Sequence, residues 1–380
     1  MRTLGEIIVV GASLAGLRAV QTLRREGFDG ELTLVGAETH MPYNRPPLSK
    51  SVLRGDEDVT LPGAEELGEE WLRGRQAVRL DAANRTLVLD DGTELGYDGL
   101  VIASGGRPRR LDGVRTLRTI EDALALRAEL DSGHEHVLVV GGGFIGGEVA
   151  STARQLGRKV TLVDSGPYPM HAGLGVEAAR WLAGHHERNG VELVTGVRVT
   201  GVTGGRVRLA DGRVLSAGLV VGGMGVTPNT EWLEGSGLAV DDGVLCEPTL
   251  YAANSADVVA AGDVARWPHR LYGDAPVRVE HWSNANEQGA AAARNLLAGP
   301  EEAQPFADVP NFATHVHGAR IQTAGLPHLA DEARVVTGSP EEDRFAVAFA
   351  RDGVLVGAVA VNAPKDLIRL KRSVAARETL

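Results

Sequence analysis

The chain has 380 residues, which at about 150 per domain predicts two or three domains, each with a core of its own. Hydrophobic residues at 43% and charged residues at 23% exclude a disordered or fibrous protein, and a net charge of −11 argues against a general nucleic-acid binder. The one cysteine, Cys246, excludes an intramolecular disulfide, a Cys-x-x-Cys redox pair and a zinc site built on thiolates, so no metal centre is expected. Glycine stands out, with 49 residues against the ~7% of ordinary proteins. Because glycine weakens helices and strands, the excess points to turns that need it.

From the N-terminus, Ile7 to Leu17 is apolar enough to pass for a secretory leader. It carries Gly11, Ser13 and Gly16, however, and runs into Arg18, Arg24 and Arg25 without a cleavage-like site. No apolar run approaches the ~18 residues of a membrane span, so a cytoplasmic protein is expected.

A long-range repeat organises the first half. Glu6 to Glu38 and Glu135 to Asp164 each open on a β-branched apolar run, Ile7 to Val10 or Val137 to Val140, which reads as a buried parallel strand. A glycine-rich turn follows, then about ten residues suited to helix, ended by Gly27 or Gly157. Each unit closes on a second strand, Leu32 to Val35 or Val160 to Val163, and an acid. Glu38 lies 22 residues past Gly16 and Asp164 lies 18 past Gly146, near the ~20 expected of a carboxylate that binds ribose hydroxyls. Two βαβ units with dinucleotide turns result, since such glycines permit the turn and let backbone approach a pyrophosphate at a helix N-terminus.

Further strands are predicted at Thr86 to Leu89 before Asp91-Gly92, at Leu100 to Ala103, and at Val207 to Leu209 before Asp211-Gly212. The stretch Asp56 to Glu70, with seven acids and no base, reads as an exposed loop and helix start. Pro300 to Pro310 reads as a linker. Beyond it, strands at Arg344 to Phe349 and Val354 to Val361 and a final helix suggest a small α+β domain.

Beyond the two nucleotide turns, the chain carries Pro42 to Lys50 (PYNRPPLSK), Tyr97 to Gly105, Arg118 to Asp122, Gly225 to Asn229 (GVTPN), Ala261 to Ala265 (AGDVA) and Val279 to Ala285 (VEHWSNA). With these motifs it resembles, over nearly its whole length, the FAD-dependent pyridine-nucleotide oxidoreductases, specifically the NADH-dependent ferredoxin reductases that serve Rieske dioxygenases and cytochrome monooxygenases. The resemblance implies an α/β fold with two Rossmann-like dinucleotide-binding domains of the glutathione-reductase type and a small α+β C-terminal domain. It places a discontinuous FAD domain at 1–113 and 244–305, an NADH domain at 114–243 and the C-terminal domain at 306–380.

Carried over by motif, Gly11, Ser13, Ala15 and Gly16 would line the FAD pyrophosphate, Glu38 with Ala37 its ribose, and Asp263 its ribityl chain. Arg45, Ala77, Arg118 and Trp282 would surround the cofactor, and Lys50 would reach the flavin N5 edge. Gly141, Gly143, Gly146 and Asp164 of the second unit would serve NADH, and Phe144, Ile145, Gly225 and Glu280 are further cofactor-binding candidates. Glu148, read as lying in the first turn of its helix, would either complement the helix dipole or pair with Lys50 beside the flavin. No arginine or lysine occurs from Ser165 to Met170, and Asp164 would repel a 2′-phosphate, so NADH is expected rather than NADPH.

With no thiol pair, electrons passed as hydride from NADH to flavin must leave for an external acceptor, and a flavin can release them one at a time, which suits an iron–sulfur protein. Reduction of a small acceptor (quinone, oxygen or a nitro compound) and a slow-turnover flavin- and NADH-binding redox sensor stay open as alternatives. Three departures from the family pattern bear on this. Ser13 replaces the middle glycine of the first turn, and the end of the chain is short. In Pro310 to Ala324, where a Trp-containing segment is usual, Phe312 alone remains of the aromatics. His315 and His317 have a spacing that would put both on one strand face, where a metal site is conceivable. Lys365 to Leu380 has five basic and two acidic residues. There Lys365, Arg369 and Arg372 share one helix face and Leu367, Leu370 and Val374 another, which suggests docking of an acidic ferredoxin or, alternatively, a solvated face. A monomer is expected.

Overall fold

The computed structural model describes residues 4–66 and 71–380. Six α-helices occur among them: α1 (Leu14–Arg25), α2 (Ile120–Asp131), α3 (Phe144–Gln155), α4 (His171–Arg188), α5 (Trp282–Ala298) and α6 (Pro364–Ala375). The chain divides into two compact units built from separated stretches. Met1–Asn44, Thr60–Arg107 and Thr227–Pro310 form the first, and Arg45–Val59, Pro108–Val226 and Asn311–Leu380 the second.

The first unit is built on a parallel sheet in the order Val258–Ala260, Gly99–Ile102, Glu6–Val10, Glu31–Gly36, Trp71–Arg73. Its central strands are mostly apolar because both faces are covered, and Ile7, Ile8, Val9, Leu100, Val101 and Ile102 have no solvent exposure. Thr86–Leu89 forms the middle of a separate antiparallel sheet and turns at Gly92 into Glu94–Gly96, as the Asp-Gly signal predicts. Helix α5 crosses α1 at Gly289, where a Cβ would fall 2.3 Å from the Ala15 carbonyl oxygen. Residues 300–310 contain no strand or helix, yet they are pinned: Phe306 is buried and its carbonyl accepts from Trp267 Nε1.

In the second unit a parallel sheet runs Val191–Val194, Lys159–Val163, His136–Val140, Leu219–Gly222. Arg206–Leu209 is the centre of an antiparallel three-stranded sheet. The last seventy residues form a five-stranded antiparallel sheet, Asn311–Val316, Ala319–Gly325, Val354–Val361, Arg344–Arg351, Glu332–Ser339, with α6 against it. That sheet does not have its core to itself: Val316, Ile321, Phe345, Val347, Phe349, Val359 and Val361 pack with Leu174, Ala178, Trp181 and Leu182 of α4. Residues 67–70 of the acidic stretch lie outside the described residues, while Asp56, Glu57 and Asp58 are exposed and a short 3-10 turn covers Ala64–Glu66.

The α1–α5 crossing depends on the missing side chain at Gly289. Gly289→Ala should cost about 2 kcal/mol in urea unfolding through overpacking, whereas Gly96→Ala, with nothing within 4 Å of the added carbon, should leave the midpoint unchanged. Equal midpoints for the two variants would contradict this packing.

Candidate functional site

The two glycine turns are built alike. Gly11 and Gly141 hold φ of +118° and +93°, and a Cβ on Gly16 or Gly146 would lie 1.9 Å from the carbonyl oxygen of Gly11 or Gly141 respectively. Only glycine fits these four positions. The N-caps, Ser13 and Gly143, have extended backbone and make no side-chain cap hydrogen bond, and neither helix carries an acid in its first turn. The leading N–H groups of α1 and α3 thus meet the conditions for an anion. Gly143 differs from Gly146 in having room, since the nearest atom to an added Cβ is 3.7 Å away. Extended backbone at position 13 accommodates serine in the same role. Both turns therefore fit a dinucleotide pyrophosphate.

Around the first turn, Ala37 is exposed, and Glu38 accepts a 2.6 Å hydrogen bond from the Tyr43 hydroxyl. Asp263 sits in the 3-10 turn Gly262–Val264 that follows strand Val258–Ala260. The Gly262 N–H donates to Gln288 Oε1 at 2.9 Å, and Gln288, fully buried, keeps its Nε2 without a hydrogen-bond partner among the described residues. Such an orphaned donor beside Gly262 suits a bound polar group. Ala77 is buried at the start of its strand. Trp282, 42% exposed, opens α5 and donates from Nε1 to Asn44. Glu280 accepts from Arg278 at 2.7 Å and belongs to this first unit.

Around the second turn, Asp164 is more constrained than a free ribose ligand. Its Oδ2 accepts from the Gly142 N–H at 2.5 Å and its Oδ1 from the Gly166 N–H at 2.6 Å, so it ties the turn to the loop after the second strand. Phe144 packs on Phe312 with ring centroids 4.0 Å apart, Ile145 is exposed, and Gly225 has open space where a Cβ would be. Arg45 donates to the Arg118 carbonyl at 2.6 Å, and Arg118 leads into the capping box of α2.

Glu148 departs from its expected place. Helix α3 starts at Phe144, which puts Glu148 in the second turn, buried to 3% exposure, and no acid occupies the first. A dipole-complementing surface carboxylate is excluded, because the side chain points inward. Its Oε2 meets Lys50 Nζ at 2.6 Å and accepts from Ser49 Oγ at 2.5 Å, and its Oε1 accepts from Thr314 Oγ1. Lys50 Nζ also donates to the Pro46 carbonyl at 3.1 Å. The Thr152 hydroxyl holds the Ser49 carbonyl at 2.9 Å. Sequence reasoning found the ion pair but missed Ser49, Thr152 and Thr314, whose hydroxyls announce nothing by type; only the strand alternation around Thr314 gave a signal.

Residues 5–289 match the family model described as pyridine nucleotide-disulphide oxidoreductase, and residues 312–380 match the one described as reductase C-terminal. The chain belongs to the pyridine nucleotide-disulphide oxidoreductases. It is 37% identical to the ferredoxin--NAD(+) reductase component of the p-cumate 2,3-dioxygenase system of Pseudomonas putida, over 99% of this chain and 95% of that one. It is 35% identical to the corresponding component of the biphenyl dioxygenase system of Paraburkholderia xenovorans, over 98% and 93%. Among solved structures, the covalent putidaredoxin reductase–putidaredoxin complex matches with a TM-score of 0.90 at 31% identity, covering 98% of this chain and 93% of that one. As an oxidoreductase of this family, the protein uses FAD and NAD(H).

Unlike the disulphide reductases that give the family its name, this member has one cysteine. Cys246 is buried, and burial pushes its thiol up to about 12, far from a reactive thiolate. The expected pairing of His315 and His317 on one strand face does not occur. His315 lies exposed on Asn311–Val316, whereas His317 falls in the following turn with φ of +48° because the strand ends at Val316. His317 Nε2 instead meets Nδ1 of the fully buried His186 at 3.0 Å. Burial pushes His186 down to about 3 and His317 down to about 4, so both are neutral at pH 7. No group of metal-ligating side chains occurs among the described residues. On α6, Leu367, Leu370 and Val374 are buried, and Lys365, Arg369 and Arg372 face solvent. No helix among the described residues is long and apolar enough to cross a membrane.

Removing one partner of a buried ion pair strands the other charge. Lys50→Ala should lower unfolding stability by about 3 kcal/mol, and Glu148→Gln by less, because a neutral amide replaces the charge. Urea titration would contradict the pairing if Lys50→Ala matched the wild-type midpoint.

Proposed function

We propose that the protein is an NADH:ferredoxin oxidoreductase, passing electrons from NADH through FAD to an acidic iron–sulfur protein one at a time. The observation that carries the reading is the lone cysteine: Cys246 is buried and cannot relay electrons through a disulfide, so they must leave the protein from the cofactor. The names of the relatives point the same way. In this reading 1–113 and 244–305 hold FAD, 114–243 hold NADH and 306–380 form the C-terminal domain.

The first-turn N–H groups of α1, with Gly11, Ser13, Ala15 and Gly16, would hold the FAD pyrophosphate; Ala37 and Glu38 its ribose; and Asp263 the ribityl chain. Arg45, Ala77, Arg118 and Trp282 would line the rest. Gly141, Gly143, Gly146 and Asp164 would hold NADH, and Phe144, Ile145, Gly225 and Glu280 remain candidates for cofactor binding. Bound flavin supplies the chemistry of accepting a hydride and releasing single electrons. The chain contributes a fixed cation: Lys50, partly exposed and held by the buried Glu148, would set a positive charge where negative charge develops. Asp164, with both oxygens engaged by backbone N–H groups, would place an acid at the ribose edge, where it disfavours a 2′-phosphate.

One observation favours a second reading, reduction of a small acceptor. The outward positions of strand Asn311–Val316 are Ala313 and His315, where the related reductases are expected to present aromatic residues to a protein partner.

Anaerobic titration of the purified yellow protein should bleach it with NADH at least about tenfold faster than with NADPH; equal rates would overturn the assignment to Asp164. The exposed Lys365, Arg369 and Arg372 of α6 fit an acidic partner. Charge reversal at Arg369 and Arg372 should slow ferredoxin reduction about tenfold at low salt while NADH bleaching stays unchanged. An unaltered ferredoxin rate would remove α6 from the docking surface.

A further inference from the structure

The C-terminal hairpin runs along α3 in register with it. Phe312 packs on Phe144, the Thr314 hydroxyl donates to Glu148, and the N–H of His317, in the turn that follows the strand, donates to the Ser151 hydroxyl at 2.7 Å. From Phe312 to Thr314 the strand advances about 6.6 Å and from Phe144 to Glu148 the helix advances about 6 Å, so these two contacts keep step. Thr314 is 1% exposed and sits between Ala313 and His315, both exposed, so its inward direction is set by the alternation of the strand.

From this we infer that Thr314 is a positioning residue for the Lys50–Glu148 pair, with Ser49 as its counterpart on the other carboxylate oxygen. The inference rests on the reading that this pair serves the flavin. Lys50 and Ser49 claim Oε2, and Thr314 claims Oε1. With a donor on each oxygen, the carboxylate cannot turn about its terminal bond without losing a buried hydrogen bond. Lys50 is thereby held to one direction. Because Thr314 belongs to the C-terminal sheet, that sheet takes part in ordering the charge. The two hydroxyls act by geometry: neither carries charge, and each spends its single proton on the same acceptor.

The test compares Thr314→Val, which keeps the shape and removes the hydroxyl, with Thr314→Ser, which keeps the hydroxyl. Ser49→Ala and Glu148→Gln complete the set, all as holoenzyme. Trace acetylation by acetic anhydride, quantified at Lys50 by mass spectrometry, reads how firmly the amine is held. Stopped-flow bleaching by NADH separates the limiting rate from the half-saturating concentration. Thr314→Val should raise Lys50 labelling about threefold or more and lower the limiting rate about fivefold, with half-saturation unchanged, less than the full effect of one lost hydrogen bond to a charged group because the hydroxyl acts on Lys50 through Glu148. Ser49→Ala should behave likewise, and Thr314→Ser should restore both readouts. Wild-type behaviour of Thr314→Val in both readouts would overturn the proposal, as would a Thr314→Ser variant as impaired as Thr314→Val. If Glu148→Gln raises labelling yet leaves the limiting rate unchanged, the role of the pair toward the flavin fails and the proposal fails with it. A Thr314→Val effect confined to labelling would instead deny the hydroxyl alone its part in the reaction.

Discussion

A carboxylate withdrawn from water costs several kcal/mol unless its charge and its lone pairs are met, and Glu148 is withdrawn almost completely. That constraint organises the second unit. It requires a cation, which Lys50 supplies from a stretch the unit takes from between two stretches of the first. It requires further donors, which come from Ser49 beside the lysine and from Thr314 some 160 residues further along the chain from Glu148. Helix α3 supplies the scaffold, because Phe144, Glu148 and Ser151 fall on one of its faces. The same helix begins with a glycine-bounded turn that has no side-chain cap, so one element carries both a helix end that suits an anion and a buried acid.

Much of this was legible in the residues because the physics is local. A β-branched run buried on both faces, a left-handed glycine and a helix stop at Gly27 or Gly157 are each encoded within a few positions, and the two βαβ units emerged with their strands in place. The Asp-Gly hairpins at Gly92 and Gly212 were equally local. The turn of Glu148 was misjudged because helix α3 begins at Phe144, and the distinction between first and second turn decides whether a side chain meets the dipole or the core. His317 was placed on a strand face that ends one residue earlier, at Val316. The hydroxyl clamp and the orphaned amide of Gln288 were illegible for another reason: serine, threonine and glutamine gain a role only from partners far away in sequence.

Asp164 shows how a motif residue can do more than its motif suggests. Its spacing marks it as a ribose ligand, yet both its oxygens engage backbone N–H groups, of Gly142 and Gly166. It ties the glycine turn to the loop that follows the second strand. Cys246 makes the complementary point: a family named for disulphide chemistry accommodates a chain whose one thiol is sealed inside the protein and held protonated by burial. What distinguishes this branch is the absence of an internal relay, so electrons delivered as a pair have to depart to another molecule.

The most direct measurement is the anaerobic stoichiometry of electron transfer, with limiting NADH, catalytic reductase and an excess of an acidic two-iron ferredoxin followed by its visible spectrum. The account predicts two ferredoxins reduced for each NADH consumed, because a hydride carries two electrons and the acceptor takes one. NADH consumption without reduced ferredoxin, or with electrons recovered only after a quinone or oxygen is admitted, would contradict it.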